Sequence, residues 1–463
     1  MRRRALALLL FALVFISSTP AQAQGEGPVY IVQQGDTLFG IARRFGTTVD
    51  AIIELNSITD ASRIFPGTEL TIPGYPWMSG VLGFKVVELG ESLDTIAQHY
   101  SVQPGDLARL NRVVRRDSLY AGQSLIVPEP QGEGTDQGGG SSHLVRADET
   151  HLEMSISNRT NPWAFSRVDE RSASLWQIGG MVLFDRLSDE DPRLFFEPME
   201  SLSLDPLPLI QGQTTVIRVM TSKPILLQGM LGEHELDFFP ENDQALVALQ
   251  GIHALAEPGL RTLRLELQDP ETKTTLFAFQ QPVLLASGEY GSTVLNGVPP
   301  ETIDPAITQP EETMITELLA TKSPVKEWQG TFEYPSRYYT DEIIASFGTR
   351  RSYNNGALEY YHTGVDFYGN NVPIYAPAPG HVVFAGPLTV RGNVTYIDHG
   401  WGVYSGYLHQ SEINVEVGDF VETGDVIGMV GGTGRVTGPH LHWEIWVGGV
   451  PVEPLTWIER SFP

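Results

Sequence analysis

The sequence predicts a multidomain, mainly β protein. It should contain two small βααβ modules, a β-sandwich middle domain and a C-terminal antiparallel β-domain. Three observations lead to this prediction: an internal repeat near the N-terminus, alternating apolar and polar residues in the middle of the chain, and a last third rich in glycine and β-branched residues. A chain of 463 residues is also too long for one ordinary domain.

The N-terminal residues are typical of an export signal. Three arginines precede an apolar run, and Ala21-Gln22-Ala23 supplies a small-x-small cleavage site, so residues 1–23 are interpreted as a signal peptide. The run is too short to cross a bilayer, and no other stretch reaches the roughly 18 apolar residues that a spanning helix needs. We therefore expect an exported protein with no transmembrane segment in the mature chain.

Charge and cysteine content exclude several classes of function. The formal net charge is -26, which makes nucleic acid and anionic membranes poor partners. The chain has no cysteine, so disulfides, thiolate metal ligands and a cysteine nucleophile are all excluded. Any metal must therefore be held by histidine, aspartate or glutamate.

The internal repeat covers two adjacent segments. VYIVQQGDTLFGIARRFGTTVDAIIELN (29–56) realigns with FKVVELGESLDTIAQHYSVQPGDLARLN (84–111). The identical residues recur at one constant offset: Gly35, Leu38, Ile41, Ala42, Asn56, Gly67, Leu70 and Pro73 correspond to Gly90, Leu93, Ile96, Ala97, Asn111, Gly122, Leu125 and Pro128. Each copy predicts a short strand, a turn, a helix opened by an Asp/Thr or Glu/Ser pair, a second helix and a closing strand.

This repeat resembles the LysM module, which implies a βααβ fold that binds N-acetylglucosamine-containing glycans, chiefly peptidoglycan. The resemblance places module 1 at residues 28–74 and module 2 at residues 82–129. It places the glycan in a groove between residues 35–38 and 64–67 of the first module, and between residues 90–93 and 119–122 of the second. The residues expected to contact glycan are Asp36, Thr37, Glu91 and Ser92. The alternative is that both modules are small spacers.

The middle of the chain predicts strands but no catalytic constellation. Residues 130–143 form a polar, Gly-rich stretch that is interpreted as a flexible linker. Residues 144–290 contain stretches such as TTVIRV (214–219), and leucines alternate with charged residues over 263–267. This pattern favours a β-sandwich, with an immunoglobulin-like arrangement as one option. Residues 291–330 are interpreted as a connector that includes a short helix over 311–321.

Histidines are concentrated in the last third of the chain. Six of the 11 lie there: His362, His381, His399, His409, His440 and His442. In a strand, His440 and His442 project from the same face because side chains alternate. Catalytic zinc sites commonly take three protein ligands, and HTGVD (362–366) and PHLHW (439–443) offer imidazoles and a carboxylate. Together these motifs favour a metal site.

The C-terminal residues resemble the lysostaphin-type zinc endopeptidases of bacterial cell walls. The resemblance covers SFGTR (346–350), HTGVDF (362–367), APAPGHVVFAG (376–386), YIDHGWGVYSGYLH (396–409) and VGDFVETGDVIGMVGGTGRVTGPHLHWEI (417–445). It implies a metallopeptidase domain, placed at residues 331–460, with one Zn²⁺ ion. The implied zinc ligands are His362, Asp366 and His442, and the implied catalytic residues are His409 and His440. Gln410 departs from the family pattern, in which leucine follows the histidine.

Both resemblances point to the same substrate. The predicted protein is an exported zinc endopeptidase that hydrolyses peptide cross-links of peptidoglycan, with its LysM modules bound to the glycan. We expect it in the cell envelope, either periplasmic or extracellular and wall-associated. The alternative is a non-catalytic wall-binding activator of other wall hydrolases, or a scaffold for them.

Overall fold

The computed structural model describes residues 27–60, 64–115, 118–129, 141–144, 165–167, 181–184, 199–337 and 343–463. The expected signal peptide and most of the expected linker lie outside these residues. The described chain forms two compact units, the first made of residues 27–84 and 126–129 and the second of residues 85–125 and those from 141 onwards. No helix in the described residues is long and apolar enough to cross a membrane.

Both repeats have the predicted order of strand, two helices and strand. The first contains β1 (Val29–Ile31), α1 (Leu38–Phe45), α2 (Val49–Leu55) and β2 (Glu69–Thr71). The second contains β3 (Val81–Val86), α3 (Leu93–His99), α4 (Pro104–Leu110) and β4 (Ser124–Pro128). Hydroxyl caps begin the first helix of each repeat: Thr37 accepts the N–H of Gly40 at 3.0 Å, and Ser92 accepts the N–H of Thr95 at 3.1 Å.

The middle domain is a β-sandwich, as the alternation predicts. Its two sheets have the strand orders β13-β14-β10-β8 and β12-β11-β15-β16-β9. The strands are β8 (Met199–Asp205), β9 (Leu209–Ile210), β10 (Thr214–Thr221), β11 (Leu226–Leu231), β12 (His234–Leu236), β13 (Phe239–Asn242), β14 (Ala245–Gly251), β15 (Gly259–Gln268) and β16 (Thr275–Ala286). Ile217 and Val219 from one sheet share a buried apolar cluster with Leu263 and Leu265 from the other. An immunoglobulin-like arrangement stays a prediction.

Three further strands precede the sandwich in the chain. They are β5 (Ser141–Leu144), β6 (Phe165–Arg167) and β7 (Met181–Phe184), and they pair in the order β5-β7-β6. Both pairings are antiparallel.

The connector contains β17 (Ser292–Leu295), a 3-10 turn (Pro300–Thr302) and α5 (Pro305–Leu319). The helix begins earlier than the predicted span of 311–321, because Asp304 caps it by accepting the N–H of Ala306 at 2.9 Å. Proline at the first helical position suits that start, since its missing N–H is not needed there.

The C-terminal domain is built on a mixed set of short and long antiparallel strands. Its main sheet has the order β18-β21-β29-β25-β24-β23-β27, with β30 paired to β29. The elements are β18 (Ile343–Ala345), β19 (Arg350–Tyr353), β20 (Leu358–Tyr361), β21 (Val365–Tyr368), β22 (Pro373–Tyr375), β23 (Gly380–Leu388), β24 (Gly392–Gly400), β25 (Val403–Gln410), β26 (Glu412–Ile413), β27 (Phe420–Val421), β28 (Val426–Met429), β29 (His440–Val447), β30 (Val450–Val452) and α6 (Leu455–Glu459).

The sandwich and the C-terminal domain share one apolar core. Val216 and Val247 of the sandwich lie in the same buried cluster as Val447 of β29. The indole N–H of Trp457 donates to the hydroxyl of Thr214 at 3.1 Å. An interface that is both apolar and hydrogen-bonded favours a fixed arrangement of these two domains.

A buried ion pair attaches α5 to the C-terminal domain. Arg391 is 6% exposed and Glu311 is 8% exposed, and their side chains are 3.1 Å apart. Glu311 also accepts the backbone N–H groups of Val390 and Arg391. Glu312 adds a second contact to the guanidinium at 2.6 Å. Helix α5 is therefore held on the domain by charge-assisted hydrogen bonds.

Removing Glu311 should leave the buried Arg391 guanidinium with one carboxylate in place of two. We expect Glu311→Ala to lower the free energy of unfolding by about 3 kcal/mol, because the buried guanidinium loses one of its two partners and the N–H groups of Val390 and Arg391 lose their acceptor. A differential scanning calorimetry scan should show a lower unfolding midpoint. Glu317→Ala, on an exposed side chain of the same helix, is the matched control. Equal midpoints for the two variants would contradict the prediction.

Glu453 should make stability depend on pH. Burial raises the pKa of this carboxyl from 4.5 to about 7, and nearby Glu459 adds to the effect. Between these two pH values the unfolded chain loses the proton while the folded chain keeps it, so stability falls as pH rises. We expect Glu453→Gln to be more stable than wild type above pH 7 and equally stable below pH 4.5. Thermal melts across pH would test this, with Glu412→Gln, on an exposed side chain, as the control. If the melting midpoints of wild type and Glu453→Gln changed with pH in parallel, the prediction would be wrong.

Candidate metal centre

The register between β21 and β29 brings the two sequence motifs together. Asp366 pairs with His442, and Tyr368 pairs with His440. His440 and His442 both face Asp366, as the alternation predicts, while Leu441 is buried in the core on the opposite face. A Cβ built on Gly364 would lie 2.2 Å from the carbonyl oxygen of Trp443, so only glycine lets the HTGVD loop pass this closely.

Three side chains converge at the centre of this face. The Nε2 of His362 lies 2.8 Å from Asp366 Oδ1 and 2.9 Å from His442 Nδ1, and His442 Nδ1 lies 2.7 Å from Asp366 Oδ1. All three residues are buried. In the part of the chain that the structure describes, these residues form the one group of three that could hold a metal.

Backbone and carboxylate partners orient both imidazoles. The Nδ1–H of His362 donates to the Ser346 carbonyl at 2.9 Å, which leaves the lone pair of Nε2 facing the centre. The Nε2–H of His442 donates to Glu444 at 3.0 Å, which leaves Nδ1 facing the centre. Such outer hydrogen bonds are typical of metal-binding histidines, because they select the tautomer and hold the ring.

Glu444 is the centre of a buried network that the sequence motifs did not identify. This carboxylate is 1% exposed. Besides the bond from His442, it accepts hydrogen bonds from the Tyr396 hydroxyl and the Trp446 indole, at 2.9 and 2.8 Å. Strand alternation could have indicated Glu444 as a site residue, since positions 440, 442 and 444 lie on one face of the strand.

Arg351 is a second partner that sequence reasoning missed. Its Nη2 donates to Asp366 Oδ2 at 3.0 Å. Since Oδ1 faces the two imidazoles, this bond leaves a single carboxylate oxygen for a metal. Arg351 directly follows SFGTR, so the motif ended one residue short of it.

His440 and His409 lie beside these three residues without belonging to the group. His440 Nε2 is 3.7 Å from Asp366 Oδ1, and its Nδ1–H donates to the Gly438 carbonyl at 2.8 Å. The Nδ1–H of His409 donates to the Thr433 carbonyl at 2.8 Å, and its ring centre is 5.0 Å from that of His440. In both rings, therefore, Nε2 is the nitrogen left for proton transfer.

His409 reaches the site through an unusual backbone conformation. Leu408 pairs with His442, so a regular strand would turn the next side chain to the opposite face. The φ angle of His409 is 65°, in the left-handed region that few residues other than glycine adopt. The ring nevertheless lies beside His440 and lines the same cleft as Leu408. This local kink supplies a site residue that strand alternation would exclude.

Burial and neighbouring charges set the protonation states. Burial lowers the pKa of His362 to about 4 and holds the pKa of His409 well below its usual range. Burial alone would raise the pKa of Asp366, but the neighbouring His362 and His442 rings outweigh burial and hold it well below its usual range. Burial would also lower the pKa of His442, but its bonds to Asp366 and Glu444 outweigh that effect and raise it. The arrangement thus places ionised carboxylates and the neutral imidazoles of His362 and His409 around the centre, while His442 holds a proton more readily than a free imidazole.

The other histidines of the last third lie elsewhere. His399 is buried, and both its ring nitrogens are used, by the Pro379 carbonyl at 2.6 Å and the Ser405 hydroxyl at 2.7 Å. His381 is an exposed residue of β23. Neither belongs to the metal centre.

A cleft of about 260 Å³ opens beside the metal centre. Helix α5 forms one wall of it, and the β19–β20 hairpin forms another. Its lining includes Pro305, Thr308, Gln309, Glu312, Arg351, Tyr353, Leu358, Tyr360, His362, His409, Arg435 and His442. The connector, whose role the sequence left open, therefore shapes the space through which a substrate would reach the centre.

The residues predicted to contact glycan lie in the turns before α1 and α3: Asp36, Thr37, Glu91 and Ser92. All four make local hydrogen bonds. The carboxylates of Asp36 and Glu91 accept the N–H groups of Gln33 and Glu88 at 2.9 and 2.7 Å, and the two hydroxyls cap the helices. These bonds shape the two turns, and contact with glycan stays a prediction.

The donor set defines the class of site. Three lone-pair atoms within 2.9 Å of one another repel unless a proton or a cation lies between them. Two imidazoles and one carboxylate oxygen match the three-ligand sites of catalytic zinc, which leave a fourth position open. His362, Asp366 and His442 therefore fit one zinc ion, on a β-sheet that opens to a cleft, and their role as its ligands stays a prediction.

Comparison with known proteins assigns this domain and the repeats. Residues 360–454 match the sequence model of Peptidase family M23, and residues 30–73 and 86–128 match that of the LysM domain. The chain thus carries an M23 peptidase domain and two LysM domains. Among its relatives is the peptidoglycan DD-endopeptidase ShyA of Vibrio cholerae, 39% identical over 123 residues, which make up 26% of this chain and 29% of ShyA.

A second relative is the DD-carboxypeptidase/endopeptidase Mpg of Neisseria meningitidis, which is 43% identical over 96 residues, or 20% of this chain and 22% of Mpg. The chain therefore matches less than a third of the length of either relative. The catalytic domain of lysostaphin from Staphylococcus simulans is 30% identical, with 29% of this chain and 92% of that domain covered and a TM-score of 0.21. The assignment depends on the matched sequence segments, since a TM-score this low carries no weight.

Glu444 should tune metal affinity through His442. We expect Glu444→Gln to weaken zinc binding about tenfold, because the ligand loses the charged acceptor that orients its ring. Competition with a chromophoric chelator would measure the dissociation constant. Glu359→Gln, on an exposed side chain of the neighbouring hairpin, should bind zinc like wild type. Unchanged affinity in a Glu444→Gln protein with an unchanged melting midpoint would contradict the expectation.

Proposed function

We propose that this protein is an exported zinc endopeptidase that binds peptidoglycan and hydrolyses its peptide cross-links. The single observation that carries the proposal is the convergence of His362, Asp366 and His442 beside two further histidines in an open cleft. The two LysM domains support a wall substrate, as do the names of the two relatives.

Each residue of the centre has a chemical task in amide hydrolysis. A zinc ion, when bound, supplies a Lewis acid that polarises the scissile carbonyl and acidifies water. His362, Asp366 and His442 would hold that ion, and Arg351 and Glu444 would keep two of these ligands oriented.

His409 and His440 carry out proton transfer. The low pKa of His409 keeps its ring neutral, so that Nε2 can accept a proton. The Nε2 of His440 lies 3.7 Å from Asp366 Oδ1 and can accept a proton there and, once protonated, donate N–H to the developing oxyanion. The two histidines share the tasks of general base, proton donor to the leaving amine and oxyanion donor.

The domain boundaries and location are part of the same proposal. Residues 1–23 would direct export, residues 28–74 and 82–129 would be the LysM modules, and residues 331–460 would be the peptidase domain. Residues 130–143 and 291–330 would connect them to the middle domain at 144–290. The mature protein would act in the cell envelope, where a tethered glycan-binding module raises the effective concentration of substrate.

The two histidines of β29 should fail in different ways when replaced. His442→Ala should lose both zinc and hydrolysis, because it removes a ligand. His440→Ala should keep its zinc and lose about 10²–10⁴-fold in rate, the range typical of acid–base catalysis. The measurements are zinc content by elemental analysis and new amino termini released from purified peptidoglycan, with mass analysis of the fragments.

His381→Ala, on an exposed strand residue of the same domain, should behave like wild type in both assays. Two results would overturn the proposal: a zinc-loaded wild-type protein that releases no amino termini, or full activity after exhaustive chelation.

A further inference from the structure

The second LysM module contacts the middle sandwich through the two segments that would form its glycan groove. The N–H of Gly90, in the first segment, donates to the side-chain oxygen of Gln281 at 2.7 Å. In the second segment, Ala121 donates its N–H to the Pro282 carbonyl at 3.1 Å and accepts the N–H of Leu284 at 2.9 Å. Ala121 therefore forms a parallel bridge with Val283 of β16.

Apolar burial accompanies these hydrogen bonds. Leu89 and Ala121 are 5% and 0% exposed, and both belong to the buried cluster of the sandwich together with Val283 and Leu285. A Cβ built on Gly122 would lie 2.9 Å from atoms of Pro208. This separation is less than a van der Waals contact, so no sugar ring fits between the module and the sandwich here.

The same positions in the first module are exposed within its own unit. Gln34 stands where the second module has Leu89, and Pro66 stands where it has Ala121, and both are exposed. Phe65 beside them is 64% exposed. A Cβ built on Gly67, the counterpart of Gly122, meets no described atom within 4 Å.

We propose that the second LysM module is an intramolecular docking module, whose groove holds residues 281–284 of β16 in the place of a glycan. The polar-to-apolar change from Gln34 to Leu89 suits a protein partner, and the backbone groups of Gly90 and Ala121 that could bind a sugar are already used. This inference rests on the proposed glycan binding. It reduces the number of glycan sites in each chain from two to one, which lies in the first module. Glu91 and Ser92 then shape a docking turn.

Hydrogen–deuterium exchange on the full-length protein tests the docking directly. Segments 88–92 and 119–123 should be protected without any sugar, and addition of the N-acetylglucosamine tetramer should not change them. Segments 33–38 and 64–68 of the first module should gain protection with the tetramer. Low protection of the second module in free protein, or a gain of protection on adding the tetramer, would overturn the docking proposal.

Matched substitutions in the two modules give a second, independent test of the docking. Pro66→Glu should weaken binding to insoluble peptidoglycan about tenfold or more and leave the melting midpoint unchanged, since Pro66 is exposed. Ala121→Glu should lower the melting midpoint and leave the affinity unchanged. Gln281→Ala, which removes the acceptor of Gly90 without adding a charge, should speed exchange at 88–92 and also leave the affinity unchanged.

The reverse pattern would overturn the proposal: an Ala121→Glu protein with a wild-type melting midpoint and weakened binding. Failure of the proposed function is a separate result. If neither module responds to the tetramer while 88–92 and 119–123 are protected, docking stands and glycan binding fails. Amino-terminus release from peptidoglycan reports on the peptidase in either case.

Discussion

The pairing register of β21 and β29 is the constraint on which the centre depends. This register places His442 opposite Asp366. A slip by one residue would turn both histidines of β29 away from Asp366 and bring Leu441 and Trp443 to the polar face. Those two side chains are fully buried in the apolar core, so a slip would also remove them from that core and place polar side chains there. Burial of the apolar face of β29 thus fixes the register that places the histidines of its other face beside Asp366.

That geometry also requires every buried charge to have partners. Glu444 receives hydrogen bonds from an imidazole, a phenol and an indole, and Arg391 has two carboxylates. Inside a protein, a satisfied polar network is rigid and a half-satisfied one is costly. The side chains of His362, Asp366 and His442 are therefore held in position by their surroundings. Since α5 supplies both carboxylates of Arg391, the same network attaches the connector helix that forms one wall of the cleft.

The middle sandwich has a structural part in this arrangement. On one side it contributes Thr214 and Val216 to the interface with the peptidase domain. On another it contributes Gln281 and Val283 to the interface with the second LysM module. Both interfaces bury apolar side chains and use backbone or side-chain hydrogen bonds. A domain in which the sequence showed no catalytic residues thus joins the peptidase domain to the second LysM module.

The sequence by itself determined the repeat and the mainly β character, and it supplied the prediction of five site residues. These follow from local patterns: a constant offset between two copies, alternation along a strand, and short motifs such as HTGVD and HLH. Only the tertiary structure decided that Arg351 and Glu444 bond to Asp366 and His442, that a left-handed backbone brings His409 to the cleft, and that Gly90 and Ala121 of the second module bond to β16. These features depend on contacts between residues far apart in the chain, and a local pattern records which residues are present without recording what packs against them.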